Sequence, residues 1–231
     1  MKRIILLTSL LSASLLQASC DVGDTPAFGT GADTTPSTTS YVNSTSFFIL
    51  ASPQQLGAVV TTTDATSGLT TTTLTEKTSV ITVRVGDRDN FFIGDSITVY
   101  FATDYGFLSD SYCVTTDGSC SITYTTGDLN ARPGDDKAYI TAYTQGEESF
   151  LDLNNNNALD DGESFTDTDT PFIDNDHNGT WTANVDIPVG AIPYQGYDGV
   201  FSGETCLDTT GRCASSTTTY IYDLLELNLS N

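Results

Sequence analysis

Residues 79–103, SVITVRVGDRDNFFIGDSITVYFAT, contain the pattern that decides the fold. Apolar and polar residues alternate with a period of two on both sides of the turn-rich segment GDRDN. This alternation is typical of strands that bury one face against a core. The buried positions that it predicts are Ile81, Val83, Val85, Ile97, Val99 and Phe101.

The alternation continues toward the C-terminus, with turn-rich segments between the apolar runs. Further half-buried strands are predicted around Ile122 and around Ile140. The stretch TYIYDLLELNLS at 219–230 is a last candidate strand, compatible with the same sandwich and with the remnant of a further repeat. No helix of ten or more residues is predicted after the N-terminal apolar run, so the expected class is all-β, with strand spacing typical of a sandwich.

The stretch from 47 to 145 resembles a known family. Its matching motifs are TVRV running into DRDN at 82–90, GDSITVYFAT at 94–103, TTDG at 115–118 followed by SITYT at 121–125, and ITAY at 140–143. These motifs are similar to those of bacterial immunoglobulin-like domains of group 1, the invasin and intimin type. The resemblance implies an immunoglobulin-like antiparallel β-sandwich that serves as a rigid spacer or adhesion module on a cell surface, and it implies no catalytic site.

The N-terminus predicts export. Lys2 and Arg3 precede an apolar run at 4–16 that is too short to span a bilayer as a stable helix, so residues 1–19 are interpreted as a signal peptide. The run ends in LLQAS before Cys20, which resembles a lipobox. The prediction is therefore a lipid on Cys20 that anchors the chain to a membrane of the cell envelope, and the alternative is a secreted protein without the lipid.

Composition divides the rest of the chain. Residues 20–46 are rich in Thr, Ser, Gly and Pro and are predicted to form a disordered tether after the lipidated cysteine. The sandwich is assigned to 47–145, an acidic loop-rich insert to 146–204, and a disulfide hairpin with a C-terminal strand to 205–231.

Five cysteines are an odd number for an exported chain, and setting Cys20 aside leaves four. These four form two pairs of identical spacing, CVTTDGSC and CLDTTGRC, each with a turn midway. Local disulfides across two hairpins are therefore predicted, Cys113 with Cys120 and Cys206 with Cys213. The rival interpretation is a zinc site, but structural zinc usually needs closer cysteine spacing or several histidines, and His177 is the only one.

The formal net charge of −22 argues against nucleic acid as a partner. There is no Lys or Arg between Lys137 and Arg212, whereas Asp and Glu are dense from Glu147 to Asp176. Their mutual repulsion opposes compaction unless a cation binds. Calcium is the predicted ion.

The segment DLNNNNALDDGE at 152–163 has the spacing of an EF-hand calcium loop. Asn157 stands at the sixth position, where Gly is usual, and Asn is the next best residue for a left-handed backbone. The alternative is a loop of Asx turns without a metal. The predicted ligands are Asp152, Asn154, Asn156, the Ala158 carbonyl, Asp160 and Glu163.

A second segment, DNDHNGTW at 174–181, begins in the same way. It offers Asp174, Asp176 and Asn178 as further calcium ligands, but Val185 stands where the bidentate Glu belongs. It is therefore expected to be a half-loop. Candidates to complete it from outside are Glu148, Asp167 and Asp169.

The sequence contains none of the common catalytic motifs, so no catalytic residue is predicted. His177 lies in a turn and is interpreted as a solvated loop residue rather than a general base. The expected function is non-enzymatic: adhesion, spacing or a structural role, with a surface protein or glycan as a possible partner. The alternative is a carbohydrate- or ligand-binding module with its site at Trp181, Tyr194 and Tyr197.

Overall fold

The computed structural model describes residues 41–93, 96–190 and 193–230, and its regular structure is almost entirely β. Two short 3-10 helices, Ser44–Ser46 and Leu129–Ala131, are the helical elements of these ranges. The strands are β1 Phe47–Ser52, β2 Gln55–Thr63, β3 Thr70–Leu74, β4 Thr78–Val85, β5 Thr98–Thr103, β6 Phe107–Leu108, β7 Tyr112–Val114, β8 Ser119–Thr125, β9 Lys137–Gly146, β10 Ser149–Phe150, β11 Phe165–Thr166, β12 Phe172–Ile173, β13 Ile187–Pro188 and β14 Thr219–Ser230.

Two sheets form the sandwich. The smaller has the order β1-β4-β8-β6, and the larger has the order β3-β2-β14-β9-β5-β7. All neighbours are antiparallel except β14 and β2, which are parallel. The order matches an immunoglobulin-like arrangement, with A-B-E-D on one sheet and G-F-C on the other. The predicted all-β sandwich is confirmed.

The core lies between the inward faces of the two sheets. Ile81, Val83 and Val85 of β4 are fully buried, and Ile140 of β9 and Leu227 of β14 are equally buried from the opposite sheet. Burying one such aliphatic side chain contributes about 1.5–3 kcal/mol relative to leaving it exposed. The period-two pattern of the sequence therefore corresponds to the direction in which these side chains point.

The C-terminal strand completes this sandwich. β14 lies between β2 and β9, and it pairs with β9 from Thr219 opposite Gly146 to Asn228 opposite Lys137. The sandwich thus consists of residues 47–146 together with 219–230, and residues 147–218 are inserted between its last two strands.

The folded region begins before residue 47. Val42 and Asn43 are 1% and 0% exposed, and the N–H of Asn43 donates to the Gly86 carbonyl at 3.0 Å. The N–H of Glu147 donates to the Val42 carbonyl at 2.8 Å. Residues 42–46, assigned to the tether from composition, instead pack against the sandwich because backbone hydrogen bonds satisfy this polar segment. The signal peptide, Cys20 and the rest of the tether lie outside the described residues.

The insert folds back over the outer face of the larger sheet. Phe172 of β12 is fully buried, and its carbonyl accepts a hydrogen bond from the hydroxyl of Thr141 on β9 at 2.5 Å. The ring of Phe172 lies edge-on to that of Tyr222 on β14, with centroids 5.8 Å apart. The insert contains two separate two-stranded sheets, β10-β11 and β12-β13, and β12 is the strand that contacts β9.

Both predicted disulfides are present, Cys113–Cys120 and Cys206–Cys213. The first differs from a simple hairpin staple, because β7 and β8 belong to different sheets and the bond therefore joins the two halves of the sandwich. Two disulfides indicate an oxidising, exported environment. Among the described residues no helix has the length and apolar character needed to cross a membrane.

A matched pair of neighbours on β4 tests the position of the core. Ile81→Ala should lower the free energy of unfolding by about 2–5 kcal/mol, because it leaves a cavity at a fully buried site. Val80→Ala should lower it by less than about 1 kcal/mol, because Val80 points outward and is 48% exposed. Urea unfolding measures both, and equal losses would contradict the assigned strand orientation.

Candidate metal centre

Loop 1, residues 152–163, wraps around the carboxylate of Asp152. Oδ1 of Asp152 accepts hydrogen bonds from the N–H of Asn155 at 2.7 Å and Asn156 at 3.3 Å, and Oδ2 accepts one from Asn157 at 2.8 Å. Asn155 and Asn157 have φ values of 59° and 60°, in the left-handed region that Asn tolerates better than most residues. Asn157 therefore takes the conformation that Gly has at the sixth position of an EF-hand loop.

The carboxylate of Glu163 closes loop 1. Its Oε1 accepts the N–H of Leu153 at 2.7 Å, and its Oε2 accepts the N–H of Asp160 at 2.9 Å. Glu163 is 5% exposed. One buried carboxylate thus joins the second and ninth positions, which holds both of its oxygens against the loop.

The polar side chains of loop 1 converge on Asp160. Its Oδ2 accepts hydrogen bonds from Nδ2 of Asn154 at 2.7 Å and from Nδ2 of Asn156 at 2.6 Å. The Oδ1 of Asn156 accepts the N–H of Ala158 at 3.0 Å. The structure therefore brings together three of the predicted ligand side chains, those of Asn154, Asn156 and Asp160.

Loop 2, residues 174–186, repeats this network. Asp174 is fully buried, and its two carboxylate oxygens accept the N–H of Asn178 at 3.2 Å and of Gly179 at 2.7 Å. These are the fifth and sixth positions, as in loop 1. His177 and Gly179 have φ values of 60° and 74°, the same left-handed conformation that loop 1 has at Asn155 and Asn157.

Asp186 closes loop 2 in the way that Glu163 closes loop 1. Its Oδ1 accepts the N–H of Asn175 at 2.8 Å, and its Oδ2 accepts the N–H of Thr182 at 2.6 Å, again the second and ninth positions. The prediction that this segment lacks a closing carboxylate was wrong, because Asp186 stands one residue after Val185 and closes the loop. The sequence signal was present as an acidic residue at the thirteenth position rather than the twelfth.

Three carboxylates meet in loop 2. One oxygen each of Asp174, Asp176 and Asp186 lie within 4.8 Å of one another. The acidic residues expected to complete the site from outside have other partners. Glu148 accepts the N–H groups of Thr168 and Ser202, Asp167 accepts that of Gly199, and Asp169 accepts the hydroxyls of Tyr194 and Tyr222.

His177 attaches loop 2 to the sandwich, which corrects its interpretation as a solvated residue. Its side chain is 9% exposed; Nε2 lies 2.7 Å from Asp104 Oδ2 and Nδ1 lies 2.6 Å from Asp135 Oδ2. The ring stacks on Tyr139 at 4.6 Å. Burial opposes protonation, but the hydrogen bonds to both carboxylates outweigh it and raise the pKa of His177.

Two guanidinium groups attach loop 1 to its surroundings. Nη1 of Arg88, from the connection after β4, donates to the Asn157 carbonyl at 2.8 Å, while its Nη2 pairs with Glu147 at 2.9 Å. Arg212 donates to the carbonyls of Asp160 at 3.0 Å and Glu163 at 2.6 Å. Sequence reasoning missed both residues, because each contact spans more than forty positions.

The predicted aromatic face is only partly formed. Trp181 and Tyr194 stack face to face at 3.9 Å with an interplanar angle of 6°, and Phe172 meets Trp181 edge-on. The hydroxyl of Tyr194 donates to Asp169 at 2.6 Å. Tyr197 is 69% exposed. Trp181 and Tyr194 therefore cover one ring face of each other.

The donor chemistry of both loops fits a hard divalent cation. The ligand positions offer carboxylate, amide and hydroxyl oxygens, and the loops contain no Cys and only the engaged His177. Oxygen donors at alternating positions, closed by one carboxylate, suit calcium better than zinc or copper. Asp152, Asn154, Asn156, Ala158, Asp160 and Glu163 would hold an ion in loop 1, and Asp174, Asp176, Asn178 and Asp186 would hold one in loop 2.

Comparison with protein-family models, with curated proteins and with solved structures finds no match to this chain.

A double-mutant cycle tests the attachment of loop 2. Measured in chelator, His177→Ala and Asp104→Ala should couple by about 1–3 kcal/mol, because both side chains are nearly buried. The cycle of His177→Ala with Asp135→Ala should give less than about 1 kcal/mol, since the Asp135 side chain is 41% exposed. Coupling near zero in both cycles would restore the solvated interpretation of His177.

Proposed function

We propose that this chain is a non-enzymatic, calcium-stabilised module of the bacterial cell envelope, whose immunoglobulin-like sandwich serves adhesion, spacing or a structural role. The observation that carries this proposal is the shared hydrogen-bond network of the two loops. In each, the first Asp accepts the N–H groups of the fifth and sixth positions, and a closing carboxylate accepts those of the second and ninth.

Calcium would compensate the negative charge of the buried carboxylates in the insert. Glu163, Asp174 and Asp186 are 5%, 0% and 6% exposed, and they accept hydrogen bonds from uncharged backbone N–H groups. Hydrogen bonds reduce the desolvation penalty of a carboxylate but leave its charge. A bound divalent cation would supply the positive charge that balances it. Extracellular calcium modules work at Kd values of about 10⁻⁴–10⁻³ M, which suits an exported protein.

The envelope location rests on the N-terminal pattern and the disulfides. The lipobox resemblance at Cys20 supports a lipid anchor, and the resemblance of 47–145 to group 1 bacterial immunoglobulin-like domains supports a surface role. The two disulfides agree with export. The anchor would be joined to the folded region, which begins near Val42, by the intervening tether.

The geometry around His177 supports a non-enzymatic role. A general base needs a free nitrogen within reach of a substrate proton. Both ring nitrogens of His177 are engaged by Asp104 and Asp135, and one ring face is covered by Tyr139. The glycan-binding alternative has less support, because Trp181 and Tyr194 stack on each other rather than presenting a continuous face.

Calcium should raise the melting temperature of the protein lacking its signal peptide. At about 1 mM calcium and a Kd of about 10⁻⁴ M, mass action adds about 1.4 kcal/mol per site. This corresponds to about 3–6 °C per site for a chain of this size. Differential scanning calorimetry with calcium and with chelator measures the shift.

Substitutions of the two closing carboxylates test which loop causes the rise in melting temperature. Glu163→Gln should abolish the part of the calcium-dependent rise in melting temperature that comes from loop 1. Asp186→Asn should abolish the part that comes from loop 2. Glu76→Gln, which removes one charge from an exposed site between β3 and β4, should leave the shift unchanged. A wild-type shift of zero up to several millimolar calcium would refute the calcium proposal, and a shift that survives in the Glu163→Gln, Asp186→Asn double variant would place the ion elsewhere.

A further inference from the structure

The Cys206–Cys213 disulfide closes a covalent ring, residues 206–213, that lies against loop 1. The backbone at the start of the ring pairs with Leu159. The N–H of Leu159 donates at 3.0 Å to the carbonyl of Thr205, the residue before the ring, and the N–H of Leu207 donates to the Leu159 carbonyl at 2.8 Å. Thr209 donates to both carboxylate oxygens of Asp161, through its N–H at 2.6 Å and its hydroxyl at 2.5 Å. The ring therefore follows the second half of the loop closely.

Arg212 extends this contact to the ligand positions themselves. Its guanidinium donates to the carbonyls of Asp160 and Glu163, the ninth and twelfth positions of loop 1. The charge of Arg212 is offset within the ring by Asp208, whose side chain is fully buried. Hydrogen bonds from Thr210 and Arg212 hold the pKa of Asp208 below its usual range. A charge-neutral pair thus fixes the backbone on which Asp160 and Glu163 are carried.

In an EF-hand, two flanking helices hold the ends of the calcium loop. Within the described residues of the insert, 147–190 and 193–218, no helix flanks loop 1. The ring occupies the side of the loop where the second helix would attach. Some other element must order the loop if it is to bind an ion without a large entropic penalty.

We infer that the Cys206–Cys213 ring is the element that preorganises loop 1 and sets its calcium affinity. This inference rests on the proposed calcium site in loop 1. With the ring closed, Asp160 and Glu163 are held in place before the ion arrives, so little conformational entropy is lost on binding. With the ring open, that ordering must be achieved at the expense of binding energy.

The effect should be confined to loop 1. Loop 2 is attached by His177 to Asp104 and Asp135 of the sandwich, and neither contact involves the ring. The second disulfide of the protein, Cys113–Cys120, has the same separation of seven residues but joins β7 to β8 in the sandwich. It provides a matched control for the general effect of losing a disulfide.

The experiment measures calcium binding to loop 1 alone. In an Asp186→Asn background, which disables loop 2, isothermal titration is compared for the parent, the Cys206→Ser, Cys213→Ser variant and the Cys113→Ser, Cys120→Ser variant. Opening the ring should weaken binding about tenfold, and the loop-closure entropy of a ring of this length sets an upper bound of about 60-fold. Opening the sandwich disulfide should change the affinity less than about twofold.

The outcomes separate the inference from the proposal on which it rests. A parent protein that binds no calcium refutes the metal site itself. Binding by all three proteins with equal affinity leaves the metal site standing and overturns the role of the ring. Equal weakening by both disulfide variants also overturns it, since the effect would then be general destabilisation.

A second variant tests the inference if the protein with the opened ring does not fold. Asp208→Asn, Arg212→Gln keeps the disulfide and removes the guanidinium from the Asp160 and Glu163 carbonyls without leaving a buried charge unpaired. Its affinity should fall by about three- to tenfold. Unchanged affinity in this variant would show that the ring does not position the ligands of loop 1.

Discussion

The ladder between β9 and β14 is the constraint on which the rest of the structure depends. The two strands pair over ten residues in the middle of the larger sheet, and β2 flanks β14 on its other side. One face of β14 packs on the core, and Phe172 of the insert contacts Tyr222 on its other face. Because the chain leaves this ladder at Gly146 and re-enters it at Thr219, the long insert is fixed at both of its ends. A segment that would otherwise repel itself is thereby held against one sheet.

The insert gains most of its order from polar rather than apolar contacts. Phe172 and Phe201 are its large fully buried aromatic residues, whereas Glu147, Glu148, Glu163, Asp174 and Asp186 are all nearly buried. A buried carboxylate is tolerated when hydrogen bonds satisfy its oxygens. Backbone N–H groups do so for four of these residues, and Glu147 pairs with the guanidinium of Arg88. Each such carboxylate ties two segments together. The acidity that repels in an extended chain becomes, once folded, a set of cross-links, and the proposed calcium ions would reinforce them.

The period-two pattern predicted the sandwich because strand burial is a local property of the sequence. Ile81, Val83 and Val85 are buried as the alternation requires. The sequence predicted a strand at 219–230 but left its place in the sandwich open, because a local pattern does not determine which strands pair. Loop 1 could be proposed from the sequence because all of its candidate ligands lie within twelve residues. Asp186 was missed because one extra residue shifts it out of the template, and the pairing of Arg88 with Glu147 was missed because no local signal links positions so far apart.

The two loops share their backbone network but are attached to their surroundings by different residues. The fourth position is Asn155 in loop 1 and His177 in loop 2, and both have the same left-handed backbone. In loop 2 the side chain at this position contacts the sandwich, where His177 meets Asp104. Loop 1 instead relies on Arg88 and on Arg212 for the same purpose. The side chains that attach the two loops are therefore not candidate ligands themselves, although Arg212 acts on the backbone that carries Asp160 and Glu163.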